Sequence, residues 1–219
     1  MQITWYGHSC FLLEDASGLR VLTDPCGPET GCGLETVEAD VVTVSHTHQA
    51  HSHLNAVRGN PVVIRLGGEK RFQNLRVRGI PTWHDAVQGK EYGCNLMFLI
   101  EMEGLRVLHL GDIGHTLQRD ILEEIGRVDV LLAPVGGGCT IDAEGARQIY
   151  DVITPSVMIP MHYRTAAAHP ALNGVEVFLE TAKDLNIHRL DEASCSVNAD
   201  ALGKARVVIL DFEKQRAGV

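Results

Sequence analysis

The stretch Ser45–His53, SHTHQAHSH, places four imidazoles (His46, His48, His51 and His53) within eight positions. Histidine is the commonest metal ligand because its neutral ring presents a nitrogen lone pair near pH 7. The run before it, VVTVS (Val41–Ser45), is apolar and β-branched and reads as a buried strand. A strand that stops at an HxH pair delivers both rings to one side of an extended segment, because side chains alternate along it. His51 points elsewhere once the chain turns into a helix, and His53 falls on that helix as a structural residue. Ala50 stands among these histidines with a methyl group that offers a metal nothing.

Working outward, three more apolar runs end in the same way. RVRGIPTW (76–83) stops at His84 and Asp85, LRVLHL (105–110) at Gly111 and Asp112, and SVMIP (156–160) two residues before His162. Strands that each deliver a His or Asp past the C-terminal end can bring those side chains together at one sheet edge, with a rigid scaffold fixing their geometry. His and carboxylate ligands without cysteine suit zinc first, then manganese or iron. Asp112 has two oxygens and can stand between two ions, which together hold and deprotonate a water and polarise the bond to be cut. Of the other histidines, His8 in GHSC is either a core residue or one that orients a ligand from behind. His115 in GDIGH reads as a support or pocket wall, His109 and His188 as structure, and His169 as a lining residue.

The remaining sequence bounds the fold. Short β-rich runs dominate the first third, with hairpin turns at DASG (Asp15–Gly18) and EMEG (Glu101–Gly104). Helical spacing appears at Leu117–Ile125, Ala143–Val152 and Val175–Leu185, alternating with strands at Val128–Ala133, Val157–Pro160 and Arg206–Asp211. Hairpins followed by strand–helix alternation imply an α/β layered sandwich in one domain over residues 1–219. The 45% hydrophobic and 21% charged fractions are those of a globular protein. A net charge of −9 without a basic run argues against nucleic acid as partner. The opening MQITWYGHSC reads as no leader, and the apolar runs are strand-sized, too short for a membrane span. Six cysteines without a CxxC, with Cys26 and Cys32 in a Gly/Pro loop, point to a reduced cytoplasm. There is no GxSxG elbow, and the GGG of 136–138 is no nucleotide fingerprint; it would let backbone approach a pocket closely.

The ordered set TWYGHSCF (4–11), LTDP (22–25), HLGD (109–112), PVGG (134–137) and IPMHY (159–163) resembles the metallo-β-lactamase-fold hydrolases over nearly the whole chain. The subgroup it is most similar to is the metal-dependent hydrolases related to L-ascorbate-6-phosphate lactonase. The resemblance implies a four-layer αββα sandwich with metals at one edge of the paired sheets. It implies that His46, His48 and His84 hold a first metal, that His51 and His162 hold a second, and that Asp112 lies between them. The family hallmark HxHxDH has its Asp where this chain has Ala50. The second site is therefore expected to be weak, absent or differently ligated, with Asp85 the nearest substitute and Gln49 a poorer one.

The function implied is hydrolysis of a small ester, lactone or phosphodiester by metal-activated water, with Asp112 and His84 at its centre. A catalytically impaired metal-binding or ligand-binding member of the same fold is the competing reading, and an RNA-processing nuclease a third, disfavoured by the acidic charge. By analogy with relatives, a homo-oligomer is expected.

Overall fold

The structure, a computed structural model, describes residues 1–27, 30–31, 34–166 and 171–216; Cys32 and His169 lie outside them. The first part of the chain is strand after strand: β1 (Gln2–Gly7), β2 (Cys10–Glu14), β3 (Arg20–Thr23), β4 (Val37–Glu38), β5 (Val41–Thr43), β6 (Val57–Arg58) and β7 (Val62–Ile64). Then follow β8 (Gly68–Phe72), β9 (Leu75–Trp83), β10 (Cys94–Met102) and β11 (Leu105–His109). From there α1 (Arg119–Ile125), β12 (Val130–Pro134), α2 (Ala143–Ile153), β13 (Val157–Met161) and α3 (Val175–Thr181) alternate. The chain closes with β14 (Ile187–Arg189), β15 (Ser194–Ser196), β16 (Arg206–Ile209) and a last turn of helix, α4 (Glu213–Arg216).

The turns have local causes. Glu103 and Gly104 both take positive φ, 52° and 75°, the conformation a tight two-residue hairpin requires, and they join β10 to β11. Helix α2 starts where the Asp142 carboxylate accepts the Gly145 N–H at 2.9 Å, and it ends at Thr154 in a left-handed conformation. Its buried face, Ala143, Ala146, Ile149 and Tyr150, packs on β12 and α3.

Among the described residues two main sheets form, besides the small parallel pair β4-β6: one of six strands in the order β15-β1-β2-β3-β5-β7, and one of eight in the order β14-β16-β13-β12-β11-β10-β9-β8. They lie face to face over one buried cluster that includes Phe11, Leu13 and Val21 of the first and Phe98, Ile100, Val107 and Leu131 of the second. Burying each such side chain is worth about 1.5–3 kcal/mol. The expected α/β sandwich is the fold observed. Five strands escaped the sequence reading: β4 and β6, two residues each and paired only with one another, and β8, β14 and β15. β8 reads GEKRF and is an exposed edge strand whose Glu69 pairs with Arg71, Arg76 and Arg78, so it lacks an apolar face to betray it. β14 and β15 are three-residue strands at sheet margins. The helix expected over 175–185 stops at Thr181, after which Leu185 N–H turns back to Ala182 O at 2.9 Å.

Strand direction sets up the site. β1 and β2 are antiparallel, as are β2 and β3, while β3 and β5 are parallel, so β1, β3 and β5 all run one way. In the larger sheet β9 and β11 are both antiparallel to β10, and β11, β12 and β13 are parallel. The C-terminal ends of β1, β3 and β5 therefore share one edge of the first sheet, and those of β9, β11, β12 and β13 one edge of the second. Just beyond these ends stand His8, Asp24, His46, His84, Asp112, Gly136 and His162.

Candidate metal centre

Asp112 lies at the meeting point of the two edges. Its Oδ2 is 3.1 Å from His51 Nε2, 3.2 Å from His162 Nε2, 3.4 Å from His84 Nε2 and 3.9 Å from His46 Nε2. Its Oδ1 is buried and has no hydrogen-bond partner. Burial opposes ionisation of this carboxyl, but His162 and His51 outweigh it and hold Asp112 well below the usual carboxylate range. Nitrogen ligands about 2.0–2.1 Å from a tetrahedral zinc stand roughly 3.3 Å from one another. The spacings around Asp112 Oδ2 are close to that edge length, as is the 3.0 Å between His46 Nε2 and His48 Nδ1.

The tautomers leave lone pairs where an ion would need them. The Asp24 carboxylate accepts the Ser45 N–H at 2.7 Å and the Ser45 hydroxyl proton, so Ser45 Oγ can only accept from His46 Nδ1, 2.9 Å away. That places the His46 proton on Nδ1 and bares Nε2. His84 Nδ1–H donates to Cys139 O at 3.0 Å, and its Nε2 is buried without a hydrogen-bond partner. His51 Nδ1–H donates to Asp24 Oδ2 at 2.9 Å, turning its Nε2 to Asp112. A ligating histidine held from behind by a carboxylate or carbonyl is the usual arrangement around protein-bound metals. Among the described residues two all-histidine trios have ligand atoms within 4.8 Å of one another, His46, His48 and His84, and His8, His51 and His162; the mixed trios Asp24, His46, His51 and His84, Asp112, Cys139 meet the same spacing. Orphaned buried nitrogens, a buried carboxylate among imidazoles and this spacing fit a His/Asp metal-binding cluster.

Two glycines permit the close approach. A Cβ on Gly111, which has φ 56°, would stand 2.3 Å from Asn95 Oδ1 and 2.7 Å from Ser45 Cβ. A Cβ on Gly136 would stand 2.2 Å from His162 O, so the first glycine of GGG does bring backbone against a ligand loop. Buried Asn95, within the apolar run of β10, fixes Asp112 by accepting its N–H at 3.0 Å, and donates to Thr82 Oγ1 and Leu110 O, both at 2.9 Å.

The structure brings His46, His48, His51, His84, Asp112 and His162 together. His8 joins them, its ring centroid 4.2 Å from that of His162 and 4.9 Å from that of His51. Asp85 does not fill the place left by Ala50. Its two oxygens accept four N–H groups, those of Val87, Gly89, Glu91 and Tyr92, at 2.7–3.0 Å. Those bonds hold its pKa down to about 2 and shape the 85–93 loop, leaving nothing to aim at an ion. His115 accepts the Trp83 N–H at 3.2 Å and contacts Thr116 O at 2.9 Å, so it braces the chain beside His84. His109 contacts Ser9 O through Nε2 at 2.9 Å and the Gly111 N–H through Nδ1 at 3.1 Å, tying one sheet edge to the other. His53 opens the short turn Leu54–Ala56 and donates its N–H to Pro25 O. Exposed His188 pairs with Asn186. Sequence reading passed over Asp24, Ser45, Asn95 and Cys139. The direction of β3 relative to β5 and a lone amide in an apolar strand were signals for Asp24 and Asn95.

The comparisons with known proteins agree with this geometry. Residues 2–162 match the family described as beta-lactamase superfamily domain, and the chain is a member of that superfamily. A UPF0173 metal-dependent hydrolase of Archaeoglobus fulgidus is 33% identical over 197 residues, covering 75% of this chain and 84% of the relative. A crystal structure from Thermotoga maritima, of a protein ascribed to the Zn-dependent hydrolases of the metallo-beta-lactamase superfamily, superposes with TM-score 0.78 at 37% identity, covering 95% of this chain and 98% of that one. Igni18, a metallo hydrolase from Ignicoccus hospitalis, shares the fold at TM-score 0.66 and 20% identity, over 96% of this chain and 94% of its own. This chain belongs to the UPF0173 metal-dependent hydrolases.

Proposed function

We propose that this hydrolase acts on a small ester, lactone or phosphodiester, with His46, His48 and His84 holding a first metal, zinc before manganese or iron, and with an altered second site around His51 and His162. The observation that carries this is the single Asp112 oxygen facing four imidazole nitrogens within 3.9 Å. A zinc ion held by His46, His48 and His84 would supply a water acidified to a pKa of about 7 and would polarise the bond to be cut. The chain's residues supply the rest. Asp24 and Ser45 fix His51 and His46, the Cys139 carbonyl fixes His84, and Asn95 holds the backbone of Asp112. Ala50, on the turn Gln49–His51, offers no ligand where the family hallmark has Asp.

A cleft of about 380 Å³ opens beside His46 and His48, and its wall includes Arg65, Leu66 and Tyr92. That size suits a small molecule. Arg65 offers a cation to an anionic substrate, and Leu66 and Tyr92 offer apolar area; the Tyr92 ring lies 5.4 Å from that of His84. The resemblance read from the sequence, to the hydrolases related to L-ascorbate-6-phosphate lactonase, is the reason to try lactones and esters beside phosphodiesters. Among the described residues no helix is long and apolar enough to cross a membrane. The scattered cysteines without a CxxC are what support a cytoplasmic location.

The test is turnover of p-nitrophenyl esters, simple lactones and bis(p-nitrophenyl) phosphate by zinc-loaded protein. Activity on at least one, abolished by a chelator and restored by zinc, is the expected result. Metal binding without turnover on any of them contradicts it and favours the impaired reading, for which Ala50 is the motive. Activity appearing only in Ala50→Asp would establish that alternative.

A further inference from the structure

We propose that His8 is a ligand of the second metal, so that His8, His51, His162 and Asp112 form a three-imidazole, one-carboxylate site in place of one that uses a carboxylate at position 50. This rests on the metal-dependent reading above and deepens it.

The ligand atoms of His8, His51 and His162 lie within 4.8 Å of one another. His51 Nε2 and His162 Nε2 are already 3.1 Å and 3.2 Å from Asp112 Oδ2. The rings of His8 and His162 are 4.2 Å apart, yet His8 Nε2 and His162 Nδ1 are both buried without hydrogen-bond partners. A core histidine finds partners for its nitrogens, as His109 does with Ser9 and Gly111 in the same region. His8 instead leaves a buried nitrogen unpaired in a cluster of donors.

The backbone holds His8 in place for this. His8 and His162 both adopt the left-handed conformation, φ 51°, which is uncommon outside glycine. The His8 carbonyl accepts two N–H groups, from the His162 backbone and the Trp5 indole, each at 3.1 Å. The adjacent Ser9 carbonyl is bound by His109 from the strand that leads to Asp112. The turn between β1 and β2 is thus pinned to both strands of the larger sheet that supply Asp112 and His162. The competing carboxylates are engaged: Asp24 by Ser45 and His51, and Asp85 by four N–H groups of its own loop. An imidazole-rich set in place of an anionic ligand suits zinc better than manganese, which prefers oxygen donors. The second site should therefore select zinc while the two metals compete.

The experiment is zinc titration of the unaltered chain and of His8→Asn, whose side chain tolerates the left-handed backbone. Zinc per chain after gel filtration is counted by elemental analysis, and circular dichroism checks the fold of the variant. Two zinc ions in the unaltered chain and one in folded His8→Asn is the expected result. A second measurement needs no variant. In chain labelled with ¹⁵N at histidine, the second equivalent of zinc should move the His8 ring resonances together with those of His51 and His162. Two zinc ions in both proteins, or His8 resonances that stay fixed as the second ion binds, would overturn the inference. One zinc in the unaltered chain would also overturn it while leaving the metal-dependent reading intact. No zinc at all would bring down that reading itself.

Discussion

The two trios on either side of Asp112 are built differently. His46, His48 and His84 come from loops after β5 and β9; His48 is exposed to the cleft, and the other two are buried behind it. His8, His51 and His162 pack ring against ring in the interior, two of them on left-handed backbone and the third locked by Asp24. In the proposed function the first trio is the side that meets substrate, while the second is set by the scaffold. A substitution that touches both trios should cost most, one behind the second trio less, and one in the cleft least.

Asp112→Ala removes the group both trios face. Hydrolysis should fall by well over the roughly 10–100-fold that loss of an outer hydrogen-bond partner costs, and elemental analysis should find both metals weakened. Asp24→Asn acts on the two trios unequally. It removes the carboxylate that holds His51 directly and reaches His46 only through Ser45, so affinity for the second zinc should drop roughly 10–100-fold and affinity for the first by less.

A pH titration sharpens the same contrast. Burial works to lower the His51 pKa, but the Asp112 and Asp24 carboxylates outweigh it and hold the ring up to about 10. Binding an ion at Nε2 must displace that proton, so affinity at this site rises with pH until about 10. In the first trio burial holds His46 near 3 and His48 below its ordinary value, so those two ligands are already deprotonated at neutral pH; there only His84, which Asp112 raises against the effect of burial, has a proton to give up. Competition with a calibrated chelator between pH 6 and 9 should show a steeper slope for the second equivalent. The smallest effect belongs to Arg65→Ala at the cleft. It should raise KM about 10-fold for an anionic substrate, the low end for a lost hydrogen bond to a charged group, with kcat and metal content unchanged.

Much of the site was legible because each ligand follows an apolar strand. VVTVS, RVRGIPTW, LRVLHL and SVMIP announced His46, His48, His84, Asp112 and His162 without any structure. What escaped depended on strand direction and on what lies across the gap between sheets. His8 was left between core and support because its partners, His51 and His162, are 43 and 154 positions away in sequence. Two successive antiparallel pairings place β1 and β3 in the same direction, which puts His8 and Asp24 at the ligand edge. Asp85 looked like a substitute ligand from its place beside His84. Its carboxylate is consumed by the loop it begins, an outcome set by backbone N–H directions that a sequence does not display. β8 escaped because a charged edge strand has neither the alternation nor the apolar content by which strands are read.

The proposed function turns on Asp112 standing between two metals held by unlike trios. Anomalous diffraction at the zinc edge, from crystals of the zinc-loaded chain, tests this directly. Two peaks about 3.5–4 Å apart are expected, one within ligand distance of His46, His48 and His84, the other within ligand distance of His8, His51 and His162, with Asp112 reaching both. A single peak lying away from Asp112, or zinc bound outside these histidines, would contradict it.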